Sequence, residues 1–327
     1  MKKFFALAAL VSVALTGCVT NEQFEDAEPA EIVMQAVNKV PTRDIVSGTT
    51  FSGDFKVFGF FSEDDFANTE EFGMYDVVCT EVDGVYKNST TSYYWPMSGK
   101  VGFYAVAPAS IVPTSIVPTT VSWADGLTLT NYNVNDAKVT DVMFAYNWGQ
   151  KGSSALEMVF SHALSQVGAT VATDKNYPGA TLTITSIAFK NVDVEATFTQ
   201  KATPQWTNNT DAQTATMPLI APATAPTLST SRVNYGDTNV VAIPQALATG
   251  TGTNAKLSIA YTLTQNGKNI SGVVEPTIIA TTNTEANTWE SGKKYIYNIT
   301  FFLEEITFNP SATDWVNVTT DAISIEG

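Results

Sequence analysis

The residues Val192-Asp-Val-Glu-Ala-Thr-Phe198 alternate apolar and polar side chains at period two, and this alternation constrains the chain more than any other feature. At that spacing successive side chains leave opposite faces of a strand, so one face is set to be buried and the other wet. The signature returns in Thr181–Phe189, in Leu257-Ser-Ile-Ala-Tyr-Thr-Leu263 and in Lys294-Tyr-Ile-Tyr-Asn-Ile-Thr-Phe301. Denser runs, Phe55–Phe61 and Val101-Gly-Phe-Tyr-Ala-Val-Ala107, read as core strands. Turn residues separate them: Gly53-Asp54, Pro108 and above all Asn266-Gly267, a hairpin dipeptide. No stretch holds a helical periodicity with caps at both ends. The fold class is therefore all-β, built as β-sandwiches, and the length fits two units better than one. Composition shifts to a Thr/Ala/Pro-rich stretch after residue 200, so the units are placed at 31–199 and 200–327.

The first 43 residues carry a different message. Met1-Lys2-Lys3 precedes an apolar run, Phe4–Leu15, that ends in Leu15-Thr-Gly-Cys18. A basic start and a short apolar stretch with small residues at its exit describe an export signal. The run is too short to span the roughly 30 Å hydrocarbon core as a helix. Residues 1–17 thus read as a lipoprotein signal peptide, with Cys18 left at the new N-terminus by lipoprotein signal peptidase and acylated there by chains such as palmitate. Each buried CH₂ contributes about 0.8 kcal/mol, so several chains anchor a protein that would otherwise be secreted. Residues 18–30 are acidic and poor in apolar side chains, and read as a flexible tether. The first candidate strand follows, Ile32, Val33, Met34, Gln35, Ala36 and Val37, and it stops before Pro41-Thr42-Arg43.

Charge and rare residue types exclude several functions. A net charge of −15 repels polyanions, so no nucleic-acid partner is expected. With Cys18 lipidated only Cys79 remains, and no intramolecular disulfide can form; Cys79 sits in an alternating run and reads as a buried, inert thiol. The single histidine, His162, rules out two-histidine metal sites, and no Gly-x-Ser-x-Gly elbow accompanies it. Asp64-Asp65 and Glu70-Glu71 lie in an acidic loop without the spacing of a calcium-binding helix–loop–helix. No enzyme, metal or cofactor is expected. Six tryptophans leave open a surface glycan-binding lipoprotein as the alternative reading.

Several stretches together resemble one family. Leu15–Cys18, Val40-Pro-Thr-Arg43, Tyr94-Trp-Pro96, Val101–Pro108, Met158-Val-Phe-Ser-His-Ala-Leu-Ser165, Tyr295–Phe301 and Ile306-Thr-Phe-Asn-Pro310 occur in the order seen in fimbrillin-like subunits of Bacteroidetes. These are the stalk, anchor and tip subunits of type V pili. The resemblance implies two tandem transthyretin-like β-sandwich domains and export as an outer-membrane lipoprotein. It also implies a cut by an arginine-specific surface protease between Arg43 and Asp44. That cut would remove strand 32–37 and let a strand from another fimbrial subunit replace it by donor-strand exchange in an adhesive surface fimbrium. The closing segment, with Val316, Val318, Ile323 and Ile325 as its apolar positions, would either supply such a donor strand or complete the second sandwich.

Overall fold

A computed structural model of the chain describes residues 29–38, 49–111, 123–136, 140–201, 204–208, 215–236, 239–247, 254–279, 287–302 and 306–314. The alternating segments become strands. The first nine are β1 (Met34–Asn38), β2 (Thr49–Thr50), β3 (Phe55–Ser62), β4 (Glu70–Val82), β5 (Val85–Lys87), β6 (Lys100–Ala107), β7 (Leu127–Asn133), β8 (Met143–Gly149) and β9 (Leu156–His162). Next come β10 (Ser165–Thr173), β11 (Ala180–Lys190), β12 (Glu195–Gln200), β13 (Gln205–Asn208), β14 (Thr216–Pro218), β15 (Val233–Asn234) and β16 (Val240–Ala242). The last are β17 (Gln245–Ala246), β18 (Lys256–Gln265), β19 (Lys268–Val274), β20 (Thr288–Trp289), β21 (Lys293–Phe301) and β22 (Ile306–Asp314). Among the described residues no helix is long and apolar enough to cross a membrane.

All-β architecture is as expected, but the first part is not an open sandwich. Its hydrogen-bonded order is β1-β5-β4-β3-β6-β8-β9, and β9 then pairs with β1. The result is a closed barrel of seven strands, with β2 attached beside β1. Closure removes free edges, and alternate side chains fill the interior. Phe55 and Val57 of β3, Phe103 and Ala105 of β6, and Met158 and Phe160 of β9 share that inner core. The intervening residues Phe58, Phe60, Tyr104 and Val106 are buried against the rest of the protein, which explains why these strands are apolar almost throughout. Cys79 lies in the barrel interior, where burial pushes its thiol up to about 12, in keeping with an inert role.

The remaining strands form further sheets. β15-β10-β21-β22, with β16 also beside β10, packs against β14-β11-β18-β19. Phe189 of β11 stands edge-on to Tyr297 of β21 and to Trp289, with ring centroids 5.1 Å apart in each case. The buried Trp289 Nε1 donates to Tyr297 Oη at 3.0 Å, so neither polar atom is stranded in this core. Asn266-Gly267 makes the expected hairpin turn: both residues have positive φ, +53° and +74°, and Gln265 pairs with Lys268.

A three-stranded sheet, β13-β12-β7, ties these layers to the barrel. Phe198 packs on Phe144 of β8 at 5.3 Å, and Gln200 Nε2 donates to the carbonyls of Ala105 and Ala145 at 3.3 and 2.6 Å. The chain can pass this point only through a glycine. Gly126 has φ +75°, and a Cβ there would lie 1.7 Å from the Gln200 carbonyl oxygen. Gly126→Ala should therefore cost more than about 2 kcal/mol, since left-handed strain of about 1–2 kcal/mol adds to a backbone clash. A denaturant melt matching that of the parent would contradict this.

Hydrogen bonding does not divide at residue 199/200. β10 pairs with β21 and β11 with β18, so residues 166–190 join later strands, while β12 lies between the earlier β7 and the later β13. The change of sheet comes at Ala163-Leu164, where β9 runs on into β10. The shift in composition marks a Thr/Ala/Pro-rich connection, whereas partnership follows matching apolar rows.

Candidate functional site: the seat of the first strand

Of the strand expected over Ile32–Val37, the structure forms β1 from Met34 onward, with Ile32 and Val33 leading into it, and β1 is a stave of the barrel. Its inward residues Ile32, Met34 and Ala36 are 1%, 0% and 8% exposed, while Gln35 is exposed and Val33 and Val37 are half-buried. Period two in the sequence thus becomes the two faces of one strand. On one side β1 runs parallel to β9, with Met34, Ala36 and Asn38 in register with Leu156, Met158 and Phe160. On the other side Met34 pairs with Tyr86 of β5, and Val37 and Asn38 pair with Thr50 and Thr49 of β2. Main-chain bonds extend the hold: Ile32 N–H donates to Tyr93 O at 2.7 Å, Trp95 N–H to Ala30 O at 2.9 Å, and Leu156 N–H to Val33 O at 2.9 Å.

One end of this seat is plugged by four rings. Phe51 stacks on Phe160 at 4.4 Å, and Phe55 and Tyr86 close the group at 5.1–5.8 Å. Tyr86 Oη donates to Phe51 O at 3.1 Å, which fixes the ring just past β2. The other end is held by charge. Glu31 accepts from Ser92 Oγ at 2.8 Å and from Lys87 Nζ at 3.3 Å. Its carboxyl lies below the ordinary range, chiefly through the Ser92 hydrogen bond, with Lys87 adding to it against the opposing effect of burial. A lowered folded-state pKa gives stability that is present above the unfolded value, about 4.3, and is lost as pH falls through the folded one. The difference in Tm between the parent and Glu31→Gln should therefore exist at pH 7, at a cost of about 1 kcal/mol or less, and vanish in acid below the carboxylate range. A gap that persists there would assign the effect to packing.

Removing β1 would leave the main chain of β9 and β5 unpaired beside an apolar trough lined by Met158, Leu156 and Tyr86. β1 and β21 follow one another along the same edge of the β9–β10 strand. Leu156 bonds toward β1 and Leu164 O accepts from Gly292 N–H before β21, whereas Ala163 N–H donates to Val142 O and Ala169 O accepts from Tyr235 N–H on the opposite edge.

The remaining expected site residues lie outside the described residues: Cys18, Arg43, Asp44, Val316, Val318, Ile323 and Ile325. By number, Arg43 and Asp44 fall in the connection whose two ends, Asn38 and Thr49, are paired. The structure adds a partner that spacing did not reveal, since His162 Nδ1 lies 2.5 Å from Asp141 Oδ2. The neighbouring Ser165 Oγ donates to Glu290 O at 2.8 Å. Among the described residues no group of three or more metal-ligating side chains converges; Asp64 is taken up by Ser62 and Asn68. Of the tryptophans, Trp95 and Trp289 are core, Trp123 and Trp206 are half-buried, and Trp148 is exposed with Lys100 Nζ 4.7 Å from its ring centroid.

Comparison with known proteins completes the picture. Residues 42–315 match the model of a family described as fimbrillin-like. Among solved structures, a fimbrial protein from Bacteroides vulgatus ATCC 8482 superposes with a TM-score of 0.64 at 17% identity, over 88% of this chain and 99% of that one. A candidate cell adhesion protein from Bacteroides uniformis ATCC 8492 gives 0.52 at 17% identity, covering 88% and 99%. One from Bacteroides ovatus ATCC 8483 gives 0.51 at 15%, covering 89% and 99%. No curated protein matches. At such identities the structures speak for the fold alone, but the family model spans most of the sequence, and the chain belongs to the fimbrillin-like family.

Proposed function

We propose that this chain is a structural or adhesive subunit of a cell-surface type V fimbrium, assembled by exchange of its first strand. It is exported through signal peptide 1–17 and lipidated at Cys18 after signal peptidase cleavage. The lipid holds it at the outer membrane until an arginine-specific protease cuts between Arg43 and Asp44. Ile32, Val33, Met34, Gln35, Ala36 and Val37 then leave, and a strand from another fimbrial subunit takes their place. That donor carries Val316 and Val318 or Ile323 and Ile325. In this reading residues 31–199 and 200–327 stand for the two transthyretin-like domains of the family.

One observation carries the proposal: β1 alone bridges β5 and β9, yet the chain reaches the rest of the barrel only through the connection that contains Arg43. The family match, which opens at residue 42, agrees with a mature protein that begins near there. An inserted strand would gain main-chain bonds on both sides and a trough for alternate side chains. Because donor and acceptor surfaces differ, each insertion leaves a free donor and a free seat, so the assembly grows as a filament. N-terminal sequencing of surface-extracted protein tests this. Polymeric species should start at Asp44, and monomer starting only at Cys18, with no assembly after protease treatment, would sink the proposal.

A further inference from the structure

We infer that the seat of β1 selects its occupant by size at one position: it takes a strand with the order large, any, large, any, small, in the direction of β1. The inference rests on the exchange reading above and says what the replacement strand must look like.

The template is β1 itself. Its inward positions taper from Ile32 and Met34 to Ala36, all buried in one core. The taper has a cause at the Ala36 end. Val37 pairs with Thr50 at the end of the antiparallel β1–β2 ladder, and Phe51, the next residue along, is buried in the same core as Ala36. Phe51 is 3% exposed and stacked 4.4 Å from Phe160, whose register partner on β1 is Asn38. Phe55 touches both rings of that stack, and Tyr86 touches Phe51 and Phe55. A longer side chain at this place must displace a ring that the Tyr86 Oη–Phe51 O bond and three aromatic contacts hold. Ile32 and Met34 instead fill the space between β5 and β9, Met34 in register with Tyr86 and 0% exposed, and there large side chains are needed to avoid a void.

The rule discriminates between the two apolar pairs of the closing segment. Ile323-Ser-Ile325-Glu-Gly327 ends on a residue with no side chain, whereas Val316-Asn-Val318-Thr-Thr320 puts a β-branched threonine at the third position. The occupant is therefore Ile323–Gly327 of a second copy. Neither stretch has an acid directly before its first large residue, so neither reproduces the Glu31 contact with Ser92 and Lys87, and β1 should outrank both.

The experiment uses the full chain cut with an arginine-specific protease and freed of its first strand. Peptides are titrated in: Glu31–Asn38, the same with Ala36→Ser, with Ala36→Leu and with Met34→Ala, and the stretches 321–327 and 314–320. Glu31–Asn38 and its Ala36→Ser form should bind alike, Ala36→Leu and Met34→Ala at least about tenfold more weakly. Residues 321–327 should bind and displace more effectively than 314–320. Equal binding of the Ala36→Leu peptide, or preference for 314–320, overturns the size rule while leaving strand exchange intact. If the chain is cut and no peptide rebinds, the exchange reading itself fails.

Discussion

Arg43→Ala protein should keep the Tm of the parent and yield no fibres, while the parent, once cut, should give ladders of oligomers that resist SDS. The contrast follows from tethering. As long as the connection is intact, β1 sits at its seat with an effective concentration on the order of millimolar. A donor strand from a neighbour at micromolar concentration then competes at a disadvantage of about a thousandfold, or roughly 4 kcal/mol. Cutting after Arg43 removes that advantage and leaves both β1 and β2 intact as strands, because the cut falls by number between them. The substitution should act on assembly alone. Arg43→Lys adds a finer test, since an arginine-specific enzyme spares it whereas trypsin restores assembly. Normal fibres from Arg43→Ala would refute the scheme.

Met34→Ala should destabilise the uncut chain by about 2–5 kcal/mol, the usual cost of emptying a fully buried long side chain. Met34 is 0% exposed and lies between Tyr86 and Leu156, with β5 on one side and β9 on the other. Gln35→Ala, one residue along but facing outward, should fall within about 0.5 kcal/mol of the parent. Urea melts of the two variants make the comparison. Equal effects would mean that β1 is laid over the barrel instead of closing it.

A strand over Ile32–Val37 was legible in the sequence, but its inward face was not, because Val33 and Val37 are as apolar as Ile32 and Ala36. Nor was its partner. β1 pairs in parallel with β9, and the register that joins Met34 to Leu156 depends on a strand far along the chain whose own alternation looks like any other. Closure into a barrel was invisible for the same reason. The histidine shows a second kind of gap: Asp141 approaches His162 because Met143 and His162 are opposed across β8 and β9, a juxtaposition made by a ladder and not by spacing. The shift in composition at residue 200 does not coincide with a break in pairing, since β10 and β11 pair with strands beyond it and β12 joins β7 before it to β13 after it. Hairpins, by contrast, announce themselves, as Asn266-Gly267 did, since turn geometry is local.

The passage of β9 into β10 also fixes how force would travel. A continuous stretch of chain, β9 followed through Ala163-Leu164 by β10, crosses from the barrel to the stacked sheets, and β1 lies parallel to its β9 part. A filament built by filling that place would be pulled along the strand axis, so the main-chain bonds of the junction would be sheared together instead of peeled one after another. Between the two parts of each subunit the tension would run through peptide bonds. A fibre of such links resists stretching without needing a large interface between its subunits.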